Sequence, residues 1–532
     1  MSLSPSVDTF EKDLTLNVAN IVSNATGYVG LFRWGPVEEV VTITTNESEL
    51  VQRFGKPDKA TTLFFHSALN YMLYTVPLKI VRVVGDTAIN AVAAGETPVL
   101  VKNSDAYETA VLDGISFLAR YPGQMGNGLK VSLADDVGFE TWEYADEFDY
   151  APATGEFNLV VVDEDGFITG QAGTILEQYE LLTTTEGDKR PDGTSAYVNT
   201  VLANQSNYIL VGDNIAIDLN ASSSVGIYEV SMEGGVDDND ASTVDFTVGW
   251  DAYENAEQID IIRAFTSGNG SLGITKCVDV LESRQDAVAF GAPELADVYN
   301  TVDAQNNVKE YFNVTINKNS SYAFWVDNWK LVYDKYNDTQ LWIPCDSDAA
   351  ALHARTAAQN EAWFSPAGLN RGQLKNVIRL AWNPSKPKRD VLYKNNINSI
   401  VSFPGEGTVL FGDKTALRRP SAFSRINVRS LFIVIKKNIA NSARYQLFEF
   451  NDQITRGVFR TYTTQYLETV QNRRGIYDYR VVCDESNNTG AVIDANEFVG
   501  DIYVKPARSI NNIRLNFIAV GTDVQFDEVE GV

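Results

Sequence analysis

The segment LYKNNINSIVSFPGEGTVLFGDKTAL, residues 392–417, decides the fold class of this chain. It contains two apolar runs, INSIVSFP and GTVLFGD, which are rich in β-branched and aromatic residues. Glycine, proline and asparagine bound both runs, and this combination is typical of strands that end in turns. We therefore predict two strands of a sheet here, with helical patterns on both sides that indicate an α/β arrangement.

A phosphate-binding loop is a second interpretation of this segment, because GEGTVLFGDKT (405–415) places two glycines around four residues and ends in Lys-Thr. Such a loop requires lysine directly after the second glycine. Here Asp413 stands between Gly412 and Lys414, and its carboxylate would repel the phosphates. The intervening residues favour a strand, whereas a phosphate loop turns its backbone N–H groups towards the ligand. We therefore predict a strand that ends in a turn, without a nucleotide site.

Two amphipathic helices are predicted after this segment, at residues 429–448 and 452–471. Their expected apolar stripes are Leu431, Phe432, Ile435 and Ile439 in the first helix, and Ile454, Val458, Tyr462, Tyr466 and Val470 in the second. Two later strand patterns, DYRVVCDE and GDIYVKPA, are expected to join the same sheet as the first two. Upstream, Asp348 is the predicted N-cap of a helix in AAALHARTAAQNEAWF.

Residues 23–86 also have α/β character, with strand patterns YVGLFRWG and LKIVRVVG on either side of a predicted helix in ATTLFFHSALNYMLY. The expected apolar face of that helix is Leu63, Phe64, Leu69, Met72 and Leu73. Residues 98–250 have mostly strand patterns with acidic, turn-rich connections. A helix is predicted near 252–265, and ITKCVDVLESRQDAVAFGAPE is interpreted as a helix that leads into a buried strand. Residues 320–334 are strand-rich.

The composition excludes several classes of protein. The chain has 532 residues, which is too many for one ordinary core, so we expect three or four domains. No run of about 18 apolar residues is present, and the first residues lack the basic and apolar parts of a secretory signal. Three distant cysteines and two histidines disfavour a disulfide framework or a zinc site. The net charge of −27 argues against a nucleic-acid partner.

The remaining candidate sites have simpler structural explanations. Acidic segments within residues 146–166 contain paired carboxylates, as glycosidases do, but their turn-rich surroundings predict a solvated surface. CDESNN at 483–488 offers oxygen ligands without the spacing of a calcium loop, so we predict a turn that closes a strand. The five tryptophans between residues 325 and 382 are expected to pack in the core rather than to form a sugar-binding platform.

Charge is distributed unevenly along the chain. Residues 365–515 contain 23 Lys and Arg against 12 Asp and Glu, whereas the rest of the chain is strongly acidic. One interpretation is a solvated surface with a chance bias. The other is that the two regions face different partners, or face each other in neighbouring copies of the chain.

The C-terminal third resembles the sheath protein of contractile phage tails, especially that of T4-like phages. The similar segments follow in the same order along the chain: AWFSPAGLNRGQL (362–374), LYKNNINSIVSFPGEGTVLFGDKTAL (392–417), INVRSLFIVIKKNI (426–439), FEFNDQITRGVFRTYTTQYLETVQNRRGIYDYRVVCDESNNT (448–489) and YVKPARSINNIRLNF (503–517). The strand motif departs from that family at Phe411 and Lys414, where tryptophan and arginine are usual.

The resemblance implies an α+β multidomain fold. An inner α/β sheath domain, built from the C-terminal third plus the N-terminal arm, would carry β-rich outer insertion domains. The implied division is an extended N-terminal arm (1–22), a discontinuous middle α/β domain (23–97 and 226–346), a β-rich outer insertion (98–225), an inner domain (347–517) and a C-terminal arm (518–532).

The resemblance also implies a structural protein that is not an enzyme and uses no cofactor or metal. Sheath subunits of this family stack as hexameric rings around a tail tube and contract, which drives the tube through the host envelope for genome ejection. The implied partners are further copies of the chain, the tube protein, and the baseplate and tail terminator proteins, without nucleic acid or membrane insertion. The implied location is the virion, assembled in the host cytoplasm. The sheath of a bacterial contractile injection system remains the alternative.

Two sets of residues are expected to make these contacts. The chain ends are expected to add strands to a sheet of an adjacent subunit, by β-augmentation. The arm candidates are Val7, Phe10, Leu14, Leu16, Val18, Val520, Val524 and Phe526. The tube-facing basic candidates are Lys386, Lys388, Arg389, Arg473 and Arg474.

Overall fold

The computed structural model describes residues 24–213 and 226–511. The predicted arms at 1–22 and 518–532, with all eight arm candidates, lie outside these residues. The strands of the described part are β1 (Thr26–Leu31), β2 (Val40–Ile43), β3 (Leu78–Val83), β4 (Val92–Ala93), β5 (Phe117–Ala119), β6 (Leu129–Asp135), β7 (Phe157–Asp163), β8 (Thr174–Leu182), β9 (Ile209–Val211), β10 (Ile227–Glu233), β11 (Arg263–Phe265), β12 (Val288–Gly291), β13 (Ala323–Val326), β14 (Trp329–Asp334), β15 (Thr339–Pro344), β16 (Arg379–Leu380), β17 (Ile397–Phe403), β18 (Gly407–Phe411), β19 (Ile476–Val482) and β20 (Asp501–Pro506).

The described α-helices are mostly short, and the two longest lie near the C-terminal end. In chain order they are α1 (Glu47–Phe54), α2 (Thr62–Met72), α3 (Ser104–Thr109), α4 (Val198–Gln205), α5 (Phe246–Asp251), α6 (Gly270–Arg284), α7 (Leu295–Val298), α8 (Ala304–Glu310), α9 (Asp346–Gln359), α10 (Lys386–Lys394), α11 (Ile426–Ala443), α12 (Gln453–Asn472) and α13 (Gly490–Asp494). A π-helical segment, Tyr311–Ile316, directly follows α8.

An eight-stranded sheet forms the centre of the fold, in the order β18-β17-β13-β12-β11-β1-β3-β2. The six inner strands run parallel to one another, and the edge strands β2 and β18 run antiparallel to their neighbours. The inner strands are almost wholly buried, as expected for parallel strands covered on both faces. Helices α2, α5, α6 and α9 pack on this sheet.

This sheet extends across the border predicted between residues 346 and 347. Strand β13 comes from the predicted middle domain, whereas β17 and β18 come from the predicted inner domain. One hydrophobic core runs from Ala25 through Leu352 to Ile433. The two predicted domains therefore share a sheet and a core in the described residues.

A seven-stranded antiparallel sheet forms the β-rich part, in the order β8-β7-β6-β10-β4-β5-β9. It takes β4 and β10 from just outside the predicted insertion at 98–225. Arg82 of β3 joins this part to the central sheet, because its buried guanidinium donates to the carbonyls of Phe32 and Gly35 and to that of Pro122, each at 2.8 Å. The carbonyl of Arg33 is a fourth acceptor for this guanidinium. Together the four acceptors offset the cost of burying the cation.

A third unit is built from α11, α12 and the antiparallel pair β19–β20. We expected these strands to join the sheet of β17 and β18, but they form a separate two-stranded sheet. Helix α11 lies between the two cores, since Leu431 and Ile435 belong to the C-terminal cluster and Ile433 belongs to the central one. A helix between two sheets separates strands that the sequence pattern alone would place together.

The buried face of α12 differs from the predicted stripe. Its core residues are Phe459, Thr463, Leu467 and Val470, whereas Ile454 is 76% exposed. Of the predicted stripe only Val470 is buried, because a spacing of four residues drifts around a helix that repeats every 3.6 residues.

Two further local predictions are wrong, and one holds only in part. Residues 252–262 contain turns rather than a helix, and the chain enters β11 at Arg263. Of the predicted face of α2, Phe64 is buried and Leu63, Leu69 and Met72 pack half-buried against the core, while Leu73 is exposed. Asp348 is not an N-cap: α9 begins at Asp346, and Asp348 is a fully buried residue of the first turn that pairs with Lys330 Nζ at 2.9 Å.

Candidate inter-subunit surface

The two-stranded sheet has one apolar face and one polar face. Tyr479 and Val481 of β19 pack against the C-terminal core together with Ile502 and Val504 of β20. The alternate residue Tyr503 of β20 points the other way and is 60% exposed, and Tyr477, at the register shift between Ile476 and Asp478, is 68% exposed. This alternation is typical of a sheet that is buried on one side only.

Both long edges of this sheet lack a strand partner among the described residues. Strand β19 pairs only with β20, from Ile476 opposite Pro506 to Val482 opposite Asp501. Side chains bind single carbonyls along β19: Gln471 donates to Tyr477 O and Asn487 donates to Val482 O, each at 2.9 Å. An edge strand presents N–H and C=O groups that a further strand can use.

A groove of about 1280 Å³ lies between the start of β19 and the end of β18. Three of the predicted basic candidates, Lys386, Arg389 and Arg474, line it. Its other charged lining residues are Arg371, Asp390, Asp413, Lys414, Arg425 and Arg508. The lining is therefore strongly basic, and the geometry brings together cations that are far apart in the sequence.

The structure does not bring the other two basic candidates into this groove. Lys388 Nζ lies 5.9 Å from the centre of the Trp382 ring. Arg473 pairs with Glu361 at 2.7 Å and its side chain is 54% exposed. Three of the five candidates therefore line this groove, and two lie outside its lining.

The segment that resembled a phosphate loop forms the wall of the groove. The turn between β17 and β18 places Gly405 and Gly407 at φ +81°, so both glycines serve a conformation that other residues rarely adopt. Strand β18 follows, as predicted. Asn398 fixes the next turn, since its amide donates to Lys414 O and its carbonyl accepts from Lys414 N, each at 2.8 Å.

Asp413 is the centre of a buried polar cluster at this turn. Its Oδ1 accepts from Arg425 at 2.7 Å and from Tyr393 at 3.1 Å. Ser509 donates to its Oδ2 at 2.6 Å, and Asn511 donates to its Oδ1 at 3.1 Å. Burial opposes ionisation, but hydrogen bonds from Ser509 and Asn511 and the Arg425 charge outweigh it, and the pKa of Asp413 is lowered. Sequence reasoning used Asp413 only to exclude phosphate and missed this role, because Ser509 is 96 residues away.

The remaining sequence candidates are structural. In CDESNN, Asp484 accepts from Ser486 N at 2.9 Å, and Asn488 accepts from Val499 N at 2.9 Å, so this segment is the predicted turn after a strand. No group of three or more His, Cys, Asp and Glu residues in the described part of the chain is arranged to hold a metal ion. Within the described residues, 24–213 and 226–511, no helix is both long and apolar enough to cross a bilayer.

Family models match most of the central and C-terminal parts of the chain. The phage tail sheath protein central domain matches residues 241–416, and the phage tail sheath C-terminal domain matches residues 418–519. The border between the two models lies at residue 417, directly after the Asp413 turn and before α11.

Two relatives match over nearly their whole length. The tail sheath protein of Salmonella phage ViI is 34% identical, with 99% of this chain and 98% of that protein covered. The tail sheath protein of Enterobacteria phage T4 is 30% identical, with 100% of this chain and 99% of that protein covered. Both relatives are tail sheath proteins of phages.

A solved structure shares the fold. The sheath tail protein from Listeria innocua is 13% identical and has a TM-score of 0.56, with 91% of this chain and 94% of that chain covered. The family models, the 34% and 30% identity to phage relatives over nearly the whole chain, and the mixed helix–sheet fold agree. This chain belongs to the phage tail sheath protein family.

Proposed function

We propose that this chain is the structural subunit of a contractile tail sheath, which assembles as stacked hexameric rings around a tail tube. On contraction, the sheath drives the tube through the host envelope for genome ejection. Its partners are then further copies of the chain, the tube protein, and the baseplate and tail terminator proteins. The assembly forms in the host cytoplasm and works in the virion, without a catalytic step.

The observation that carries this proposal is the small sheet β19–β20, whose edges no described strand covers. The arms at residues 1–22 and 518–532 are short segments with apolar residues that suit pairing with such edges. Addition of an arm from a neighbour would join subunits through main-chain hydrogen bonds. Such ladders stay paired while the linkers bend, so a sheath can change its length without losing its connections.

The charge distribution supports an orientation for the subunit. Residues 365–515 are basic, and the groove beside β19 concentrates some of these cations. We place this side inward, towards the tube and towards acidic faces of neighbours, and the acidic antiparallel sheet outward. Lys388 and Arg473 remain candidates for contact with the tube.

A bacterial contractile injection system would use the same kind of sheath. The two relatives described above match over nearly their whole length and are phage proteins, and this favours the phage tail.

Removal of both arms tests the exchange of arms. We expect a chain limited to residues 23–517 to remain folded but to lose the ability to form cylinders, because the proposed edge strands of the neighbours are absent. Electron microscopy and sedimentation over a range of protein concentrations measure assembly, and circular dichroism checks the fold. Cylinders that form at the same concentration as those of the full chain would contradict the proposal.

A further inference from the structure

The Asp413 cluster joins the central sheet to the segment that follows β20 of the C-terminal unit. Asp413 follows β18 of the central sheet, and Tyr393 belongs to α10. Ser509 and Asn511 follow β20 of the C-terminal unit, and Asn511 is the last described residue of the chain. The segment after β20 therefore leaves the small sheet and returns to the edge of the central sheet.

The contacts form a closed network around one carboxylate. Arg425 donates to Asp413 and also to the hydroxyl of Tyr393. Asn511 Nδ2 donates to Tyr393 OH at 2.8 Å and to Asp413 Oδ1 at 3.1 Å. The side chain of Asp413 is only 4% exposed. A buried carboxylate needs several donors, and two of the donors here come from the root of the C-terminal arm.

We propose that Asp413 is a positioning residue, which fixes the point where the C-terminal arm leaves the subunit and so directs the arm to its neighbour. This inference rests on the proposed exchange of arms. Tyr393 and Arg425 hold the carboxylate in place, and Ser509 and Asn511 are the residues of the arm root that it holds.

We call the hydrogen bonds from Ser509 and Asn511 to Asp413 the clamp. Its physical effect is to shorten the chain that connects the small sheet to the arm at residues 518–532. Before the clamp, Ala507 N donates to Gly475 O at 3.0 Å and is the last backbone contact with the small sheet. Without these contacts, residues 508–511 would no longer be held to the subunit, which adds about 13 Å to the chain between the small sheet and the proposed pairing segment at 518–532. Because effective concentration falls as about the −3/2 power of length, each arm would find its acceptor about twofold less often.

Two variants test the clamp from its two sides. Asp413→Asn removes the charge and keeps the shape of the side chain. The double variant Ser509→Ala with Asn511→Ala removes only the arm side and leaves the pair of Asp413 and Arg425 in place. Ser486→Ala is the matched control, since Ser486 also donates to a carboxylate of the C-terminal unit, Asp484, at 2.5 Å.

Trypsin cleavage after Arg508 in the unassembled full chain reports the attachment of the arm root. We expect cleavage at least about fivefold faster in both clamp variants, with the thermal midpoint of the double variant unchanged. The protein concentration needed for cylinders should rise at least about twofold in both. The combined triple variant should show no further loss, because the same link is already broken.

The outcomes separate this inference from the proposed function. If the double variant is cleaved and assembles like the Ser486→Ala control, the clamp is wrong, and this holds even if Asp413→Asn fails to fold. If removal of residues 518–532 leaves assembly unchanged, exchange of the C-terminal arm is wrong. Normal assembly of the clamp variants beside a defective truncation would overturn the clamp alone.

Discussion

At the scale of single residues, buried carboxylates fasten distant parts of the chain together. Asp327 follows β13 and accepts from the backbone N–H of Ile400 in β17 at 2.8 Å. It is fully buried, and burial raises its pKa to about 7. Asp413, by contrast, has enough donors to stay ionised. The difference follows from the Arg425 guanidinium that pairs with Asp413 and from the complete burial of Asp327.

The raised pKa of Asp327 predicts that the chain loses stability as the pH rises. An unfolded aspartate ionises near pH 4, whereas folded Asp327 keeps its proton until about pH 7. Between these values the folded state binds more protons, so raising the pH lowers the free energy of unfolding, by about 3 kcal/mol from pH 5 to pH 8. Thermal unfolding of the wild type and of Asp327→Asn at several pH values measures this change in stability. We expect the variant to lose less stability than the wild type between about pH 5 and pH 8.

The control for this prediction is Glu186→Gln, which removes an exposed carboxylate. Its pH profile should follow that of the wild type. Equal pH profiles for Asp327→Asn and the wild type would show that Asp327 is ionised in the folded chain across the interval.

At the scale of elements, the packing of a helix decides which of its apolar residues are buried. Helix α12 contacts β19 through the face that carries Leu467, and Leu467 is fully buried. Ile454, in the first turn of the helix, is 76% exposed and faces no described residue of the core. Two apolar residues of one helix thus have very different energetic roles.

Alanine substitutions in α12 test this assignment. We expect Leu467→Ala to destabilise the C-terminal unit by about 2–5 kcal/mol, because it leaves a cavity in the core. The matched control Ile454→Ala should change stability by less than about 0.5 kcal/mol. Amide hydrogen exchange in α11 and α12 measures the loss of stability in each variant. Similar losses of stability in Leu467→Ala and Ile454→Ala would show that the assigned faces are wrong.

At the scale of the whole molecule, the asymmetry of charge predicts assembly that depends on salt. Each exposed ion pair contributes about 0–1 kcal/mol, and salt at about 1 M reduces the screening length to about 3 Å. We expect the protein concentration needed for cylinders to rise at least about fivefold between about 0.05 M and 1 M NaCl. Sedimentation measures this, and assembly that is indifferent to salt would refute the electrostatic contribution.

Substitutions locate the charges that matter. Arg474→Gln should weaken assembly and reduce its dependence on salt, because Arg474 lines the basic groove. Lys335→Gln is the matched control: Lys335 pairs with Glu47 and is 55% exposed, but it lies outside the basic region. Equal effects of the two substitutions would show that total charge, rather than the groove, controls assembly.

The sequence by itself determined the mixed α/β character and the strands of the segment 392–417, which form no phosphate loop, since each depends on residues close together in the chain. It also indicated the family, through similar segments that follow in the same order along residues 362–517. It also predicted α6 leading into β12, because the helical pattern is followed by a short apolar run. Only the tertiary structure decided that β19 and β20 form their own sheet, which face of α12 is buried, and that Asp413 binds Ser509. These features depend on contacts between residues far apart in sequence, and the periodicity of a single element does not specify what packs against it.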